Sequence, residues 1–508
     1  MYFLKNFIRK ISLLLIIYFV SRLFFFINNF SSFNINESTS WLTPFLESVR
    51  YDLSILLYIN SLVLLLIFLP FNLRLKQWYQ KLVGIVFLFV NIPFIILNNI
   101  DIEFFQYNQK RITSDFVDLL FLGNDTAQVL PSYLLTYWPI VLLTLFQIYI
   151  LFKHSDFKPK TVISNFKSFS NSLMIFLISI VFFVVGARGG LQLKPINTIN
   201  AGELSNPIFS NLILNTPFTF LHSFKSEKLV AYNYFSEQEL NNTFSLIKNY
   251  SGNKQKDYNV VIIIMESLSK EFIGFHNDHN LTPFLDSLMN HSLVFSNAYS
   301  NGLRSIEALP AITASIPTLS NTPFISSVYA QNKLNSLPSI ISKKGYATSF
   351  FHGGTRGTMG FYGFAKKAGF QKYYGLEEYD NKDDYDGTWG IYDEPFFKFF
   401  AGKLKDENQP FFSTFFSLSA HPPYSIPNHH NSRFIEGDLK IHKLISYSDY
   451  SLKMFFNNVK NEDWFNNTLF VITADHTSPK SSNLAYKNKI GRYSIPMLFY
   501  TADKSLIG

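Results

Sequence analysis

Three short stretches carry side chains able to do chemistry together. Glu266 follows the apolar run VVIIIM, and Asp475 and His476 follow LFVITA. A carboxylate at the end of a buried strand is costly unless it finds a partner. Parallel neighbouring strands bring both ends to one edge of a sheet, where ligands collect. Glu, Asp and His together supply the oxygen and nitrogen donors that suit a divalent cation such as manganese or zinc. A structural ion pair or a capped helix is the alternative reading of the same residues. The third stretch is SNGLRSIEALPAI, in which Asn301-Gly302 signals a turn and Ser305 stands where a helix begins. Ser305 is either an ordinary helix-capping serine or a nucleophile at a helix N-terminus, where backbone N–H groups favour a phosphate. A serine hydroxyl is a weak nucleophile near neutral pH, and a coordinated cation would activate it. The nucleophile reading therefore requires Glu266, Asp475 and His476 to hold a metal beside Ser305.

Two histidines stand at expected strand ends. His352 ends ATSFFH, and His421 opens the loop HPPYSIP after FFSTFFSLSA. Either could donate to phosphate oxygens or protonate a leaving alkoxide, or simply hydrogen-bond a loop. The others, among them His154, His276, His279, His429 and His430, read as surface residues. The acidic run DNKDDYDGTWG fails as a calcium loop. With Gly387 at the sixth position the first ligand would be Lys382 and the twelfth Asp393 rather than Glu. Trp389 reads as the anchor of that solvated loop.

The elements that must position these residues follow from periodicity. From residue 258 onward, continuous β-branched runs (NVVIIIM, TLFVITA) alternate with amphipathic stretches such as KLISYSDYSLKMFFNNVKN. This alternation predicts an α/β domain, residues 258–508, with a mostly parallel sheet and helices on both faces. Residues 188–257, opening with ARGGLQLKPINTIN, read as a connector.

The first 187 residues belong to another solvent. Five segments, roughly 8–29, 52–71, 82–100, 133–152 and 169–187, reach the ~20 apolar residues a bilayer span needs. A membrane domain of five transmembrane helices is expected over 1–187. Lys5, Arg9 and Lys10, then Arg74, Lys76 and Lys81, then Lys153, Lys158, Lys160 and Lys167 lie on one side. Arg50, Lys110 and Arg111 lie on the other. The positive-inside rule puts the N-terminus in the cytoplasm and everything after residue 188 outside. The first segment reads as an uncleaved anchor, with Arg22 snorkelling toward the interface.

Composition agrees with this division. The 508 residues have a positive mean hydropathy of +0.10, 18% aromatic and 16% charged residues. Neither a disordered chain nor an ordinary soluble one has that balance. Zero cysteines exclude disulfides, iron–sulfur clusters and thiolate zinc sites. The net charge of +8 sits mostly in residues 1–190, with 15 Lys/Arg against 9 Asp/Glu, between apolar runs. It reports membrane orientation rather than nucleic-acid binding.

Five spans, a connector and an outer α/β domain carrying MES, NGLRS, HGG, SAHPPY and ADH in that order resemble the lipoteichoic-acid-synthase-like family. These are phosphoglycerol or phosphoethanolamine transferases with a sulfatase-like, alkaline-phosphatase-like catalytic domain. The resemblance implies that Glu266, Ser305, Asp475 and His476 ligate one divalent metal ion, manganese first, with zinc or magnesium as alternatives. It makes Ser305 the nucleophile where relatives usually carry threonine, and His421 and His352 substrate-pocket residues. One segment departs from the pattern. Where the glycerophosphate polymerases carry a tryptophan and an arginine, this chain reads GGTRGTMGFYGF, with Met359 and Phe361 at about those places and Arg356 as the candidate substitute. The departure bears on headgroup specificity more than on reaction type. Ser305 is followed by IEAL, not by the x-P-x-R context that formylglycine formation requires, so sulfate-ester hydrolysis is not expected. The chain ends at MLFYTADKSLIG, where the family continues, and a truncated sequence is expected.

The resulting expectation is a multi-pass inner-membrane transferase with its catalytic domain outside the cytoplasm. It would take a phospholipid donor and an envelope glycan or lipid acceptor, and no nucleic acid. A phosphodiesterase acting on the same headgroups and a non-catalytic membrane sensor are the competing readings.

Overall fold

The structure is a computed structural model describing residues 2–33, 42–69, 72–108, 110–114, 116–117, 134–157, 166–192, 194–224, 229, 232–245, 256–277, 280–434 and 436–507. The far ends of two expected spans (70–71 and 133), Lys158, Lys160, His279, much of the connector's 225–255 and Gly508 lie outside the described residues. The chain divides into two compact units, residues 1–226 with 326–333, and 227–325 with 334–508.

The first unit is helical. It contains α1 (Tyr2–Asn28), α2 (Leu42–Ile59), α3 (Ser61–Phe68), α4 (Gln77–Asn108), α5 (Trp138–Lys153) and α6 (Phe166–Ala187), followed by the short α7 (Ser210–Ile213) and α8 (Thr216–Ser223). All five expected spans fall on helices, but their lengths differ from expectation. Among the described residues two helices, α1 and α4, are long and apolar enough to cross a membrane, and the α2–α3 pair makes a third only if its 62° bend lies within one span. The bend has a side-chain cause. Asn60, between α2 and α3, bonds the carbonyl of Leu56 and exchanges amide hydrogen bonds with Asn91 of α4 at 3.0 and 2.8 Å. Trp138–Lys153 and the apolar part of α6, Leu173–Ala187, are shorter than a full span.

Arg22 does not snorkel. It is 2% exposed, forms an ion pair with Asp52, and donates to the carbonyls of Leu212, Ile213 and Leu214 at the end of α7. Asn215 also donates to Asp52, at 2.7 Å. A lone guanidinium in an apolar bundle carries a large desolvation cost. The carboxylate and three helix-end carbonyls offset it. A second buried pair, Arg111 with Asp101 at 3.1 Å, is joined by Thr216, whose hydroxyl donates to Asp101 at 2.6 Å.

The second unit is a seven-stranded sheet in the order β2-β7-β6-β1-β5-β3-β4. The strands are β1 (Asn259–Met265), β2 (Leu293–Val294), β3 (Ala347–His352), β4 (Lys372–Tyr374), β5 (Phe411–Phe416), β6 (Thr468–Ala474) and β7 (Met497–Tyr500). The five strands β4, β3, β5, β1 and β6 run parallel, and β7 and β2 add an antiparallel edge. The helices that matter for the site are α9 (Ser305–Ala314), α10 (Asp393–Lys405) and α11 (Ile441–Val459). β1 sits at the centre with Val261, Ile263 and Ile264 fully buried, which is why it reads as an unbroken apolar run. Phe397 and Phe400 of α10 and Phe455 of α11 cover one face. Phe397 stacks on Phe415 of β5 at 3.9 Å, and Phe400 on Phe455 at 5.2 Å.

The register matters most. Met265 of β1 pairs with Ala474 of β6, and Ile264 pairs with Phe416 of β5, itself the partner of His352 on β3. The residues that follow or end these strands, Glu266, Asp475, Ser417 and His352, therefore emerge on one carboxyl edge.

Candidate metal centre

Glu266, Ser305, Asp475 and His476 converge at that edge. All four are nearly buried, at 4%, 5%, 2% and 7% exposure. The ligating atoms of Glu266, Asp475 and His476 lie within 4.8 Å of one another. His476 Nε2 is 3.2 Å from Asp475 Oδ2 and 3.6 Å from Glu266 Oε1. The Ser305 hydroxyl donates to Glu266 Oε2 at 3.1 Å, and its Oγ is 3.2 Å from His476 Nε2.

Each side chain is held from behind. The Glu266 N–H donates to Ser417 Oγ at 2.8 Å, and Ser267 donates its hydroxyl to Glu266 Oε1 at 2.7 Å. Ser267 takes a positive φ of 55°, a conformation that costs a non-glycine residue on the order of 1 kcal/mol and is stored where the chain must turn sharply. Asp475 Oδ1 accepts two backbone N–H groups, from Ser267 at 2.8 Å and His476 at 2.7 Å. The Thr477 carbonyl lies 2.8 Å from His476 Nδ1, so Nδ1 carries the proton and Nε2 presents its lone pair to the cluster.

Ser305 is the first residue inside α9, and Arg304 occupies the capping position. The capping-serine reading is thus replaced: the hydroxyl faces Glu266 and His476. The cap is made by Glu307, whose Oε2 accepts the N–H of Leu303 at 3.0 Å and of Arg304 at 3.2 Å. Gly302 is required for this, because a β-carbon there would stand 2.2 Å from Glu307 Oε2.

The donor set fits a divalent cation on three counts. Two carboxylates and a lone-pair imidazole face one another. Among the described residues no Lys or Arg forms an ion pair with Glu266 or Asp475. Among the described residues Asp475 Oδ2 also finds no hydrogen-bond donor, although it is buried. Burial, reinforced by the Glu266 carboxylate, pushes the Asp475 carboxyl well above the usual carboxylate range. Burial alone would lower His476, but Asp475 and Glu266 outweigh it and raise it. A cation among these groups would offset the carboxylate–carboxylate repulsion and replace the protons that both shifts favour.

The remaining predicted residues are placed differently. His352 lies on the same edge, 1% exposed, with Nδ1 3.3 Å from the Phe416 carbonyl and Nε2 buried with no hydrogen-bond partner among the described residues. Phe361 packs on both His352 and Phe416, at 5.1 and 5.2 Å between ring centroids. Burial lowers His352 to about 4, so its imidazole is neutral at physiological pH. His421 is half-buried and rests against Trp389, ring centroids 4.1 Å apart, while Trp389 Nε1 donates to the Pro422 carbonyl at 2.7 Å. Trp389 thus anchors the His421 loop as well as its own. Arg356 is exposed, ion-paired with Glu378 and lies over the Tyr362 ring at 5.1 Å; it joins none of the hydrogen bonds that link the four residues. Ser417 and Ser267 were not singled out by sequence. Their only sequence signal is position, directly after β5 and directly after Glu266.

The chain matches the Sulfatase family over residues 258–506. It is 26% identical over 255 residues to lipoteichoic acid synthase 2 of Bacillus subtilis, covering 48% of this chain and 39% of that protein. It is 30% identical over 262 residues to phosphoglycerol transferase I of Salmonella arizonae, covering 47% and 33%. A solved protein of the alkaline phosphatase superfamily from Vibrio parahaemolyticus superposes with a TM-score of 0.45 at 27% identity, covering 49% of this chain and 62% of that one. The chain thus spans well under half the length of these two curated relatives. The second unit, with Glu266, Ser305, Asp475 and His476 gathered at one sheet edge, carries a Sulfatase-family domain.

Proposed function

We propose that the protein is a membrane-bound, metal-dependent transferase that moves a phosphoglycerol or phosphoethanolamine group from a phospholipid to an extracytoplasmic glycan or lipid acceptor. The observation that carries this reading is the position of Ser305 Oγ, 3.1 Å from Glu266 Oε2 and 3.2 Å from His476 Nε2, at the start of a helix. The names of the relatives, a lipoteichoic acid synthase and a phosphoglycerol transferase, support the same reaction class.

Glu266, Ser305, Asp475 and His476 would hold one divalent ion, manganese first among the choices. When bound, such an ion lowers the pKa of a serine hydroxyl and neutralises phosphate charge. Ser305 Oγ attacks the phosphorus of the lipid headgroup, and the bond from phosphorus to the diacylglycerol oxygen breaks. The proton that Ser305 Oγ gives up passes to that oxygen, which leaves as diacylglycerol, and the headgroup phosphate stays esterified to Ser305. An acceptor hydroxyl then attacks the same phosphorus, its proton returns to Ser305 Oγ, and the serine is free again. His421, on its Trp389 platform, would hold the substrate phosphate, and buried neutral His352 would line the pocket, with Arg356 as a peripheral headgroup contact. The helical unit, with five crossings and a cytoplasmic N-terminus in the inner membrane, would keep the site beside its lipid donor and raise effective concentration.

Incubation of the full chain with headgroup-labelled phosphatidylglycerol or phosphatidylethanolamine, with and without manganese, tests this. Metal-dependent release of diacylglycerol with label trapped on Ser305 supports the proposal. No turnover of either lipid would sink it, and release of label to water in the presence of acceptor would make the protein a phosphodiesterase.

A further inference from the structure

A second group of ligating side chains lies on a different set of residues. Glu394 stands in the first turn of α10, and His429 and His430 close the loop that begins after β5. His430 Nε2 and Glu394 Oε2 are 2.6 Å apart, and the two histidine rings are 4.2 Å apart. One ligating atom from each of Glu394, His429 and His430 lies within 4.8 Å of the other two. His430 is buried against the rings of Tyr450, Phe434 and Tyr447, at 5.4, 5.8 and 5.8 Å, while Glu394 is half-buried and His429 exposed.

We propose that Glu394, His429 and His430 form a second divalent-cation site, of zinc type, that fastens the far end of the His421 loop. The donor chemistry is two imidazoles and one carboxylate with an open position to solvent, a set that zinc accepts. An ion pair between His430 and Glu394 would leave His429 without a role. Among the described residues neither ring nitrogen of His429 nor the second oxygen of Glu394 makes a hydrogen bond. The Arg433 guanidinium lies over the Tyr450 ring at 3.8 Å, and among the described residues Glu394 is ion-paired with His430 alone. Zinc ligands at roughly 2.0–2.1 Å in tetrahedral geometry stand about 3.3 Å apart, so the His430–Glu394 contact must open by less than an ångström. The proton between them leaves, because the ligand is the neutral imidazole.

The near end of the loop is already fixed to the same helix start. Asp393 accepts the N–H of Leu418 at 2.8 Å and of Ser419 at 3.1 Å. A cation on Glu394, His429 and His430 would fix the other end, closing a strap that carries His421.

The test is zinc titration of the full chain in detergent by calorimetry, in a Glu266→Gln/Asp475→Asn background that disables the Ser305 centre. The expected result is one remaining zinc per chain. Adding His429→Ala, an exposed position where folding is not at risk, or Glu394→Gln, should weaken that zinc at least tenfold. No remaining zinc in the background variant overturns the proposal, and so does a zinc whose affinity neither substitution changes. Failure of the Ser305 centre to bind metal would be seen separately, as wild-type protein that binds no more zinc than the background variant.

Discussion

The backbone N–H of Ser267 donates to Asp475 Oδ1 at 2.8 Å, tying the turn after β1 to the end of β6 and leaving Asp475 Oδ2 free and buried at the centre of the site. One carboxylate oxygen is thus used for architecture and the other is left for a ligand.

That division predicts opposite effects of Asp475→Asn with and without metal. In chelated protein the folded-state carboxyl is raised to about 8, above its unfolded value, by burial and by Glu266. The folded state then binds the extra proton, so this group's stabilising contribution is full at acid pH and is lost as pH rises through the raised value. Chelated wild-type protein should lose thermal stability between about pH 4 and 8, and Asp475→Asn should flatten that loss. With manganese present the order reverses: wild type gains stability with ion concentration and the variant gains little. Thermal melts at several pH values with chelator or manganese check this. An unchanged pH slope in the chelated variant would contradict it.

Ser305→Ala removes the proposed nucleophile but leaves both carboxylates and the imidazole. Turnover should fall on the order of 10³-fold or more, while manganese affinity falls about tenfold or less, since one weak oxygen donor of four is lost. Steady-state kinetics and calorimetry on the same preparation measure the two quantities. Retained turnover removes Ser305 from the chemistry.

Arg22→Leu should destabilise the helical unit strongly, because Asp52 is left charged among apolar helices. Breaking such a pair costs roughly 3–5 kcal/mol. Arg22→Leu/Asp52→Leu should recover part of this, but not all, since the carbonyls of Leu212, Ile213 and Leu214 still lose their donor. Thermal unfolding in detergent reads the cycle. Equal loss in Arg22→Leu and in the double variant would contradict this, because an unpaired Asp52 would then carry no penalty.

Trp389→Ala removes the surface on which His421 rests. KM for the lipid donor should rise several-fold while kcat stays within about threefold, as expected when a positioning contact is lost without touching the reacting atoms. A fall in kcat at constant KM would show that the tryptophan acts on the chemical step instead.

Much of the centre was legible because buried parallel strands read as unbroken apolar runs, and a polar residue directly after one must lie at the sheet's carboxyl edge. The place of Glu266, Asp475 and His476 at that edge follows from this rule; their joint reading as metal ligands, rather than a structural ion pair, comes from the family resemblance. What periodicity does not carry is the partner. Arg22 reads as a snorkelling charge because Asp52 lies 30 residues away and the carbonyls it binds about 190 away. The bend at Asn60 depends on Asn91, 31 residues further along the chain. β4, three residues long, is too short to show a period. Ser417 has no motif and is identified only by the register that sets β5 beside β1.

The central claim is that Glu266, Ser305, Asp475 and His476 close around one divalent ion. Anomalous diffraction from crystals of the protein soaked in manganese, collected at the manganese edge, tests it most directly. The account predicts a peak bounded by those four side chains. A site with full-strength diffraction and no anomalous peak among them, while manganese binds elsewhere, would contradict it.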